Sequence, residues 1–597
     1  MPHSALPPHN KGRSSREDHA SAGPSRRAVL GWGLFALMAA GCANGAPSPG
    51  KSTRTELTFL AAAPPRVWDP AFIHDPLDQR IIQQICPPLL SINSADGNLT
   101  GILARTASLN ENGTRLRITL AHGLTFSDGT ELDSDALKAN FERWQKIAST
   151  AAAPSAIDTL LADSASAPLI KSYKTPSKHV LDVHFTRPCF AFPDALTHPG
   201  LGVLSPAAFG KDSAKPVSTP IGAGAYSLEA KATKTAPHRE EANITRLKLR
   251  AEFRSERESA AASASATHSE SASQGSPDSG QDSSHEGEAL PLRPTPAEGK
   301  APATIAFIHS SLSAAPAQWL ASKHDNPMHA DIVDAVAAKE QKEIAQAGLR
   351  VMHRDPFSVV YLGFNHNDEN LKQRAMRQAI VQNIDERQLL KDQFPESTLS
   401  ANGYTPASLG VQPERPAIRD EKATTDLLKT AKYGGESIPI AYPTGVCLPY
   451  FPLPELTAQG IQKQLAEVHI TTQLKPMHWD TEFLPALLEG KHTGLFLFGL
   501  HGLYRSPHDM LARLFSGPRP LCNARLTDIP HRLDAALAIA STSQRRETYR
   551  NIETDLIADL PLHPLLLPAS ALGLSSDVTN YPLNPYLEEP LELVTMK

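Results

Sequence analysis

The stretch that most constrains the fold of this chain runs from Phe126 to Trp144 and reads FSDGTELDSDALKANFERW. It follows an alternating run, Leu116–Leu120, which predicts a half-buried strand. Gly129 suits the tight turn of Ser-Asp-Gly, and Asp133 is suited to cap a following helix. The apolar face of that helix is predicted to carry Leu137, Phe141 and Trp144. The stretch therefore predicts a strand, a turn and a capped amphipathic helix.

The same string resembles the signature of a known family. A strand that ends in F-x-D-G-T before a capped helix is typical of the family 5 extracellular solute-binding proteins, the peptide, nickel and opine receptors of ABC importers. Three neighbouring segments resemble further elements of that family in the family's order. They are Trp68–Ala71 (WDPA), Ile81–Leu90 (IIQQICPPLL) and the predicted hairpin Ser91–Leu103.

The resemblance continues to the C-terminus. Pro220–Tyr226 (PIGAGAY) resembles a family loop in which Gly222 and Gly224 would allow tight backbone passage between lobes. Later matches predict a strand, two helices and a return strand. These are Val359–Asn365, Arg374–Arg387 (with Asp385 pairing locally with Arg387), Arg545–Asp559 and Pro561–Pro568.

Length and composition agree with an exported receptor. A chain of 597 residues is too long for one core and predicts several lobes. A net charge of −5, without a long Lys/Arg block, indicates no nucleic-acid partner. Cysteines 86, 189, 447 and 522 form no CxxC pair, which disfavours structural zinc, and either disulfides or free buried thiols remain open.

The N-terminus reads as an export signal. Ser25–Leu30 contains a twin Arg before an apolar run that is too short to span a membrane, so Tat and Sec export are both open. Ala39–Cys42 resembles a lipobox, which implies that Cys42 carries a lipid and anchors the protein to the outer face of the cell membrane.

The family resemblance implies an α/β, type II periplasmic-binding-protein-like fold of two lobes with an additional α+β lobe. Residues 254–302 are rich in Ser, Ala, Glu, Gly and Pro, which predicts a disordered insertion. The predicted domains are a signal peptide with lipobox (1–42), a tether (43–54), lobe I (55–90, 200–253, 303–357 and 562–597), an accessory lobe (91–199), the insertion (254–302) and lobe III (358–561).

The resemblance also implies where a ligand binds. The loop after the predicted strand Leu495–Phe498 faces the cleft, and in peptide receptors it reads G-W-x-x-D-Y-P-D-P, with the first Asp binding the ammonium group of the peptide. Here Leu500 replaces the Trp and Leu503 replaces that Asp. The predicted ligand-binding residues are Trp68, His74, Asp75, His366, Trp479, Leu500, His501, Leu503 and Tyr504.

Leu503 leaves two alternatives open. A buried ammonium without a counter-charge is costly, so either another acid, such as Asp75 or Asp509, takes its role, or the ligand lacks that amine. Histidines near the cleft also admit a nickel-chelate ligand.

The sequence predicts a non-catalytic receptor that needs no cofactor or resident metal. It would capture a peptide-like solute by lobe closure and deliver it to an ABC permease with its ATPase. The alternatives are a nickel-chelate or opine receptor, or a non-transport lipoprotein on the same fold. An enzyme is disfavoured because G-x-S-x-G, HExxH and CxxC motifs are absent.

Overall fold

The computed structural model describes residues 54–61, 64–74, 76–150, 155–210, 212–229, 244–270, 288–310, 316–391, 393–414, 421–517 and 520–597. Side chains are described within these ranges except at 263–270 and 421. The signal peptide, the lipidation site Cys42 and the ligand candidate Asp75 lie outside the described residues.

Strands form most of the framework. In chain order they are β1 (Glu56–Ala61), β2 (Leu90–Ile92), β3 (Leu99–Gly101), β4 (Ala104–Leu109), β5 (Arg115–Leu120), β6 (Ile170–Ser177), β7 (Val180–Phe185), β8 (Tyr226–Leu228), β9 (Ile244–Leu249), β10 (Thr304–His309), β11 (Ile332–Val333), β12 (Arg350–Arg354), β13 (Ser358–Phe364), β14 (Leu399–Ser400), β15 (Ile438–Thr444), β16 (Thr472–His478), β17 (Leu495–His501), β18 (Leu562–Leu567), β19 (Ser570–Leu574), β20 (Val578–Asn580) and β21 (Thr595–Met596).

Helices cover and connect the sheets. They are α1 (Pro76–Ile85), α2 (Ser134–Thr150), α3 (Asp158–Leu161), α4 (Phe192–Ala195), α5 (Phe253–Glu270), α6 (Pro316–Ala321), α7 (Ala338–Gln346), α8 (Arg374–Val381), α9 (Glu386–Leu390), α10 (Glu421–Thr430), α11 (Pro454–Ala466), α12 (Leu484–Leu488), α13 (Pro507–Phe515), α14 (Ile529–Leu537) and α15 (Thr542–Asp559). Within the described ranges, none of them combines the length and apolar character needed to cross a bilayer.

Three sheets define three lobes. Lobe I is built on the strand order β12-β19-β11-β1-β10-β9-β8, in which β1 runs parallel to both of its neighbours. Lobe III is built on β14-β18-β13-β17-β15-β16. The accessory lobe is the antiparallel sheet β4-β5-β7-β6 packed on α2. The predicted mixed α/β architecture with a separate α+β lobe is therefore confirmed.

The Phe126–Trp144 stretch folds as predicted and lies in the accessory lobe. Gly129 has a φ of 82°, and the Asp133 carboxylate accepts a hydrogen bond of 2.9 Å from the backbone N–H of Ala136. The predicted face of Leu137, Phe141 and Trp144 is completely buried. The stretch packs the accessory core, and none of its residues lines the cavity described in the next subsection.

One buried ion pair joins this helix to lobe I. The guanidinium of Arg143, in α2, donates to the carboxylate of Asp69 in the predicted WDPA motif. The same carboxylate accepts from the backbone N–H of Val217 at 2.9 Å and of Ala71 at 3.1 Å. Two of the stretches that carry the family resemblance thus contact each other directly.

The predicted tight passage at Gly222 and Gly224 is confirmed by the geometry. A Cβ atom on Gly222 would overlap the backbone carbonyl oxygen of Ile85 and lie 2.6 Å from the sulfur of Cys86. A Cβ atom on Gly224 would overlap the carbonyl oxygen of Gln84. The loop therefore passes against the end of α1 at a distance that only glycine permits.

The structure corrects the predicted insertion over 254–302. Residues 253–270 form α5, in which Ala260 is buried and Arg257 donates to the carbonyl oxygens of Ile102 and Arg293. Alanine is the strongest helix former, and the Ala-rich composition favours a helix at this point. Residues 290–293 exchange backbone hydrogen bonds with Gly101 and Arg105 of the accessory lobe. Residues 271–287 lie outside the described residues.

Two further boundaries differ from the prediction. β18 belongs to the sheet of lobe III, so the chain returns to lobe I at 568–569 rather than at residue 562. The predicted helix Arg374–Arg387 is split into α8 and α9, because the carboxylate of Asp385 caps α9 by accepting from the backbone N–H of Arg387 at 3.1 Å. The sequence left open whether the later cysteines form disulfides or remain free. The structure shows that they are free thiols, namely Cys86, Cys189, Cys447 and Cys522.

Lobe III contains a buried carboxyl whose protonation we expect to affect stability. The Glu553 side chain accepts hydrogen bonds from the backbone N–H of Tyr404 at 2.7 Å and from the Thr405 hydroxyl at 2.5 Å. Burial outweighs these bonds and raises the pKa of Glu553 to about 8. Because this pKa exceeds that of the unfolded chain, the folded state retains a proton that the unfolded state releases. The contribution to stability is present at low pH and is lost as the pH rises through about 8.

We therefore expect Glu553→Gln to remove part of the pH dependence of stability. Between pH 5 and 8 the free energy of unfolding of the variant should fall less steeply than that of the wild type, by up to ~1.4 kcal/mol per pH unit. Urea unfolding at several pH values measures the two slopes. Glu547→Gln, an exposed acid on the same helix, is the control and should keep the wild-type slope. Identical slopes in all three proteins would contradict the prediction.

Candidate functional site

A cavity of about 950 Å³, part of it open to solvent, lies where the three lobes meet. Lobe I contributes Ile73, His74, Pro76 and Gln79, and the accessory lobe contributes Ser155, Ala156, Asp158 and Thr159. Lobe III supplies the remaining wall. Its lining residues are Tyr450, Trp479, Leu484, Leu487, Leu488, Gly499, Leu500, His501, Leu503, Arg513, Ser516 and Leu521. The lining is largely apolar and aromatic, which is typical of small-molecule sites.

Five of the nine predicted ligand-binding residues meet at this cavity. They are His74, Trp479, Leu500, His501 and Leu503. The structure does not bring Trp68, His366 or Tyr504 to the cavity wall. Trp68 packs against the core of lobe I, and Tyr504 is buried against the accessory lobe, with its ring centroid 5.9 Å from that of His198. The Nε2–H of His366 donates a hydrogen bond to the carbonyl oxygen of Pro561, 2.6 Å away.

The sequence Gly499–His501 belongs to β17 and not to the loop that follows it. β17 pairs antiparallel with β13, so that His501 is opposite Ser358. The cleft loop is therefore shorter than predicted and ends at Pro507, where α13 begins. Gly499 is required here, since a Cβ atom would lie 2.6 Å from the ring of Tyr450, a neighbouring cavity residue.

His501 is a neutral polar group in the wall. Its Nδ1 lies 2.9 Å from the hydroxyl of Ser358, and its ring stacks on Tyr450 with an interplanar angle of 11°. Burial lowers the pKa of His501 to about 3, with the Arg513 guanidinium acting in the same direction. The imidazole therefore carries no charge at neutral pH and offers hydrogen bonding without electrostatic attraction.

Trp479, which lines the cavity, begins a turn of π-helix. The turn spans Trp479–Phe483, and the indole ring stacks on Phe483 with centroids 5.8 Å apart. The indole N–H of Trp479 has no hydrogen-bond partner within the described part of the chain, although the residue is only 4% exposed. π-helical turns often occur at functional sites.

Gln79 carries an unpaired hydrogen-bond acceptor, which complements the unpaired indole N–H donor of Trp479. This residue of α1 is 1% exposed, and its amide nitrogen donates to the carbonyl oxygen of Tyr586 at 3.3 Å. Its Oε1 has no partner among the described residues. Buried polar atoms are normally paired, so an unpaired donor and an unpaired acceptor on two side chains that line the same cavity indicate a ligand with both functions.

The two carboxylates near the site have different roles: one is paired with an arginine, and the other lines the cavity. The Arg513 guanidinium donates to the carboxylate of Asp509 at 2.9 Å and to the carbonyl oxygen of His501 at 2.7 Å. Asp509 also accepts from the backbone N–H of Leu503 at 2.6 Å. Asp509 therefore holds the cleft loop in place and does not line the cavity, whereas Asp158, from α3, lines it directly.

Sequence reasoning missed Gln79, Asp158 and Tyr450. Asp158 lies in a segment of mixed composition, and its position became apparent only because α3 packs against α13 of lobe III. Gln79 lies beside the predicted helix Ile81–Leu90, and its burial follows from the contact with Tyr586 near the C-terminus. Among the described residues, no group of three His, Cys, Asp or Glu side chains could hold a metal ion.

Two contacts join the walls around the cavity. Arg66 of lobe I forms an ion pair with Asp480 of lobe III, next to Trp479. Arg505 of the cleft loop donates to the carbonyl oxygen of Gly97 in the β2–β3 hairpin at 2.6 Å. In this structure the lobes are therefore in contact with one another across the cavity.

Comparison with known proteins supplies an independent observation. The profile of the bacterial extracellular solute-binding proteins, family 5 (Middle), matches residues 98–236 and 328–520, more than half of the chain. The glutathione-binding protein GsiB of Escherichia coli (strain K12) is 24% identical over 204 residues. This match covers 34% of the present chain and spans only 36% of the length of GsiB.

Solved structures share the fold at low sequence identity. A dipeptide-binding protein of a Pseudoalteromonas species, in complex with Met-Leu, superposes with a TM-score of 0.72 at 18% identity, covering 91% of this chain and 100% of that one. AgaA of Agrobacterium tumefaciens, in complex with agropinic acid, superposes with a TM-score of 0.70 at 17% identity, covering 91% and 99%. The predicted type II periplasmic-binding-protein-like fold is confirmed.

Proposed function

This chain belongs to family 5 of the bacterial extracellular solute-binding proteins, and on that premise we propose that it captures a short peptide-like solute between its lobes and delivers it to an ABC permease. The family consists of extracytoplasmic solute-binding receptors and not of enzymes, so the predictions of a non-catalytic role and of an extracytoplasmic location are confirmed. Anchoring through a lipid on Cys42 is part of the proposal.

The observation that carries the peptide assignment is the cavity itself. An amide group supplies one N–H donor and one C=O acceptor, which match the unpaired Oε1 of Gln79 and the unpaired indole N–H of Trp479. The aliphatic side chains around these atoms suit apolar groups on either side of an amide. The neutral His501 adds a further hydrogen-bonding partner without imposing a charge.

Lobe closure would work by differential binding. Gln79 and Trp479 belong to different lobes, so a solute that contacts both stabilises the arrangement in which the lobes touch. The ion pair between Arg66 and Asp480 joins the same two lobes and would add to the stability of that arrangement. The permease would then recognise the closed form.

We expect short peptides with apolar side chains to raise the melting temperature of the protein. A ligand present at about 100 times its dissociation constant stabilises the folded state by ~2.7 kcal/mol. Thermal unfolding with a panel of dipeptides and tripeptides, nickel chelates and opines measures the effect. Stabilisation by a nickel chelate or an opine alone would reassign the solute, and no stabilisation by any class would contradict the transport function.

A cavity-filling variant makes the test specific. Leu503→Trp places an indole in the cavity and should abolish the peptide-induced shift while the protein remains folded. Leu399→Trp is the matched control, because Leu399 lies in the same lobe and is 54% exposed. A peptide shift that survives in Leu503→Trp would place the binding site elsewhere.

A further inference from the structure

The polar atoms that the protein leaves unpaired in the cavity wall at Gln79 and Trp479 are uncharged. The Oε1 of Gln79 is an amide acceptor and the Nε1–H of Trp479 is an indole donor, and neither has a partner within the part of the chain that the structure describes. Both side chains line the cavity and are almost completely buried. The hydrogen bonds that these two atoms offer to a solute are therefore those of a neutral group such as an amide.

The arginine of the cavity wall is neutralised by the protein itself. The Arg513 guanidinium lies 2.9 Å from the carboxylate of Asp509 and donates to the carbonyl oxygen of His501 at 2.7 Å. Asp509 is buried and also accepts from the backbone N–H of Leu503 at 2.6 Å. A solute carboxylate that drew Arg513 away would leave Asp509 buried without its counter-charge, which is unfavourable. Arg513 is therefore poorly suited to bind the C-terminal carboxylate of a peptide.

The carboxylate of the cavity wall, Asp158, is also engaged by the protein. One of its oxygens accepts from the backbone N–H of Ser155 at 3.2 Å, and the other accepts from the Ser155 hydroxyl. Ser155 and Asp158 both line the cavity, so the wall supplies these donors itself. The ammonium group of a peptide would have to compete with them, and Asp158 is therefore poorly suited to bind it.

The wall contributed by lobe III offers a charged solute little compensation. His501 is neutral, because burial lowers its pKa to about 3. An ionised group that enters an apolar cavity loses its hydration, and it binds well only where an opposite charge is available. The aliphatic part of this wall is formed by Leu484, Leu487, Leu488, Leu500, Leu503 and Leu521.

We infer that the solute is uncharged at both ends: a peptide-like amide whose amine and carboxylate are blocked or are joined in a ring. This inference rests on the proposed function, since it specifies the class of solute taken by the same cavity. The amide groups would pair with Gln79 and Trp479, and the apolar groups would contact the leucines. A free dipeptide would bring an ammonium and a carboxylate into a cavity whose own charges are already engaged, so it binds more weakly.

Peptides that differ only at their ends test the inference. Isothermal titration calorimetry of the full mature protein at pH 7 compares Leu-Leu, Leu-Leu-amide, N-acetyl-Leu-Leu and N-acetyl-Leu-Leu-amide, with cyclo(Leu-Leu) as the ring form. We expect the wild type to bind N-acetyl-Leu-Leu-amide about tenfold more tightly than Leu-Leu, because each buried charge without a free counter-charge is unfavourable. The two singly blocked peptides should lie between them, and cyclo(Leu-Leu) should also bind more tightly than Leu-Leu.

A charge placed in the wall should change this order. Leu503→Asp adds a carboxylate, and we expect it to shift the preference toward Leu-Leu-amide by about tenfold, through a charge-assisted hydrogen bond to the amine. Leu503→Asn adds a polar group of the same size without a charge and is the matched control, which should keep the wild-type order. Melting temperatures without ligand establish that both variants are folded. The comparison is made between ligands within one variant, so a uniform loss of affinity does not affect it.

The possible outcomes separate this inference from the proposed function. A wild type that binds Leu-Leu or Leu-Leu-amide as tightly as N-acetyl-Leu-Leu-amide overturns the inference and leaves the peptide receptor standing. A folded Leu503→Asp that keeps the wild-type order also overturns it, because the charge of the wall would then not govern which ends are accepted. Failure of all five ligands to bind the wild type, together with no response to the peptide panel, overturns the proposed function and the inference with it.

Discussion

Replacing Arg354 with Met is expected to lower the free energy of unfolding by about 3–5 kcal/mol, because it breaks a buried ionic network and leaves two carboxylates with the single guanidinium of Arg80 between them. The Arg354 guanidinium is bound to Glu589 at 2.5 Å and 3.0 Å and to Asp334 at 2.8 Å. Arg80 completes the network 2.5 Å from Asp334, and the Tyr581 hydroxyl donates to Glu589 at 2.5 Å.

The Asp334 carboxyl of this network is ionised across the physiological range. Burial acts to raise the pKa of Asp334, but the guanidinium groups of Arg354 and Arg80 outweigh it and lower that pKa to about 2. Arg354 ends β12, immediately before the chain crosses to lobe III, and Glu589 lies near the C-terminus. The network therefore links the C-terminal segment to lobe I, next to the point where the chain crosses from lobe I to lobe III.

Urea unfolding followed by tryptophan fluorescence measures the loss. Arg532→Met is the matched control, since Arg532 pairs with Asp555 at 2.7 Å on the surface of α14 and α15. A partly exposed pair of that kind contributes ~0–1 kcal/mol. An equally small change in both variants would show that the Arg354 network does not stabilise the fold.

Gly222→Ala is expected to destabilise the protein by ~3 kcal/mol, at the upper end of the range for overpacked sites. The added methyl group overlaps the backbone carbonyl oxygen of Ile85, and neither that peptide group nor the buried Cys86 beside it can rotate away as a flexible side chain would. Relief requires a shift of the main chain at the end of α1, the helix that carries Gln79 to the cavity.

Thermal and urea unfolding of Gly222→Ala are compared with those of Gly210→Ala. A Cβ atom on Gly210 meets no atom within 4 Å, so this control should change stability by less than about 0.5 kcal/mol. Since α1 must move in Gly222→Ala, peptide affinity should fall together with stability. If the variant has the same free energy of unfolding as the wild type, the loop can shift to accommodate the methyl group without destabilising the fold.

The sequence was most informative where local chemistry decides the conformation. The cap at Asp133, the turn at Gly129 and the close passage at Gly222 were predictable, because each depends on a few neighbouring residues and one backbone requirement. The same local chemistry explains one miss, since Asp385 was read as a partner of Arg387 rather than as the cap that splits the predicted helix.

Only about half of the residues predicted for the candidate site line the cavity, and the reason is physical. His501 and Leu503 are adjacent in sequence to a recognisable strand, so their placement at the cavity could be inferred. Asp158 and Gln79 reach the same cavity through contacts between lobes, and those contacts depend on the packing of residues far apart in the chain. The composition of α5 also gave a wrong prediction. The segment has few large apolar residues, which indicated disorder, but its many alanines favour a helix.

The positions of β18 and β19 have a consequence for how the protein is made. These strands are consecutive in the chain, but β18 lies between β14 and β13 while β19 lies between β12 and β11. Each of the two large sheets therefore lacks an interior strand until Leu562–Leu574 has been synthesised. Both walls of the cavity therefore depend on this one short segment, and neither sheet can be completed before it has been synthesised.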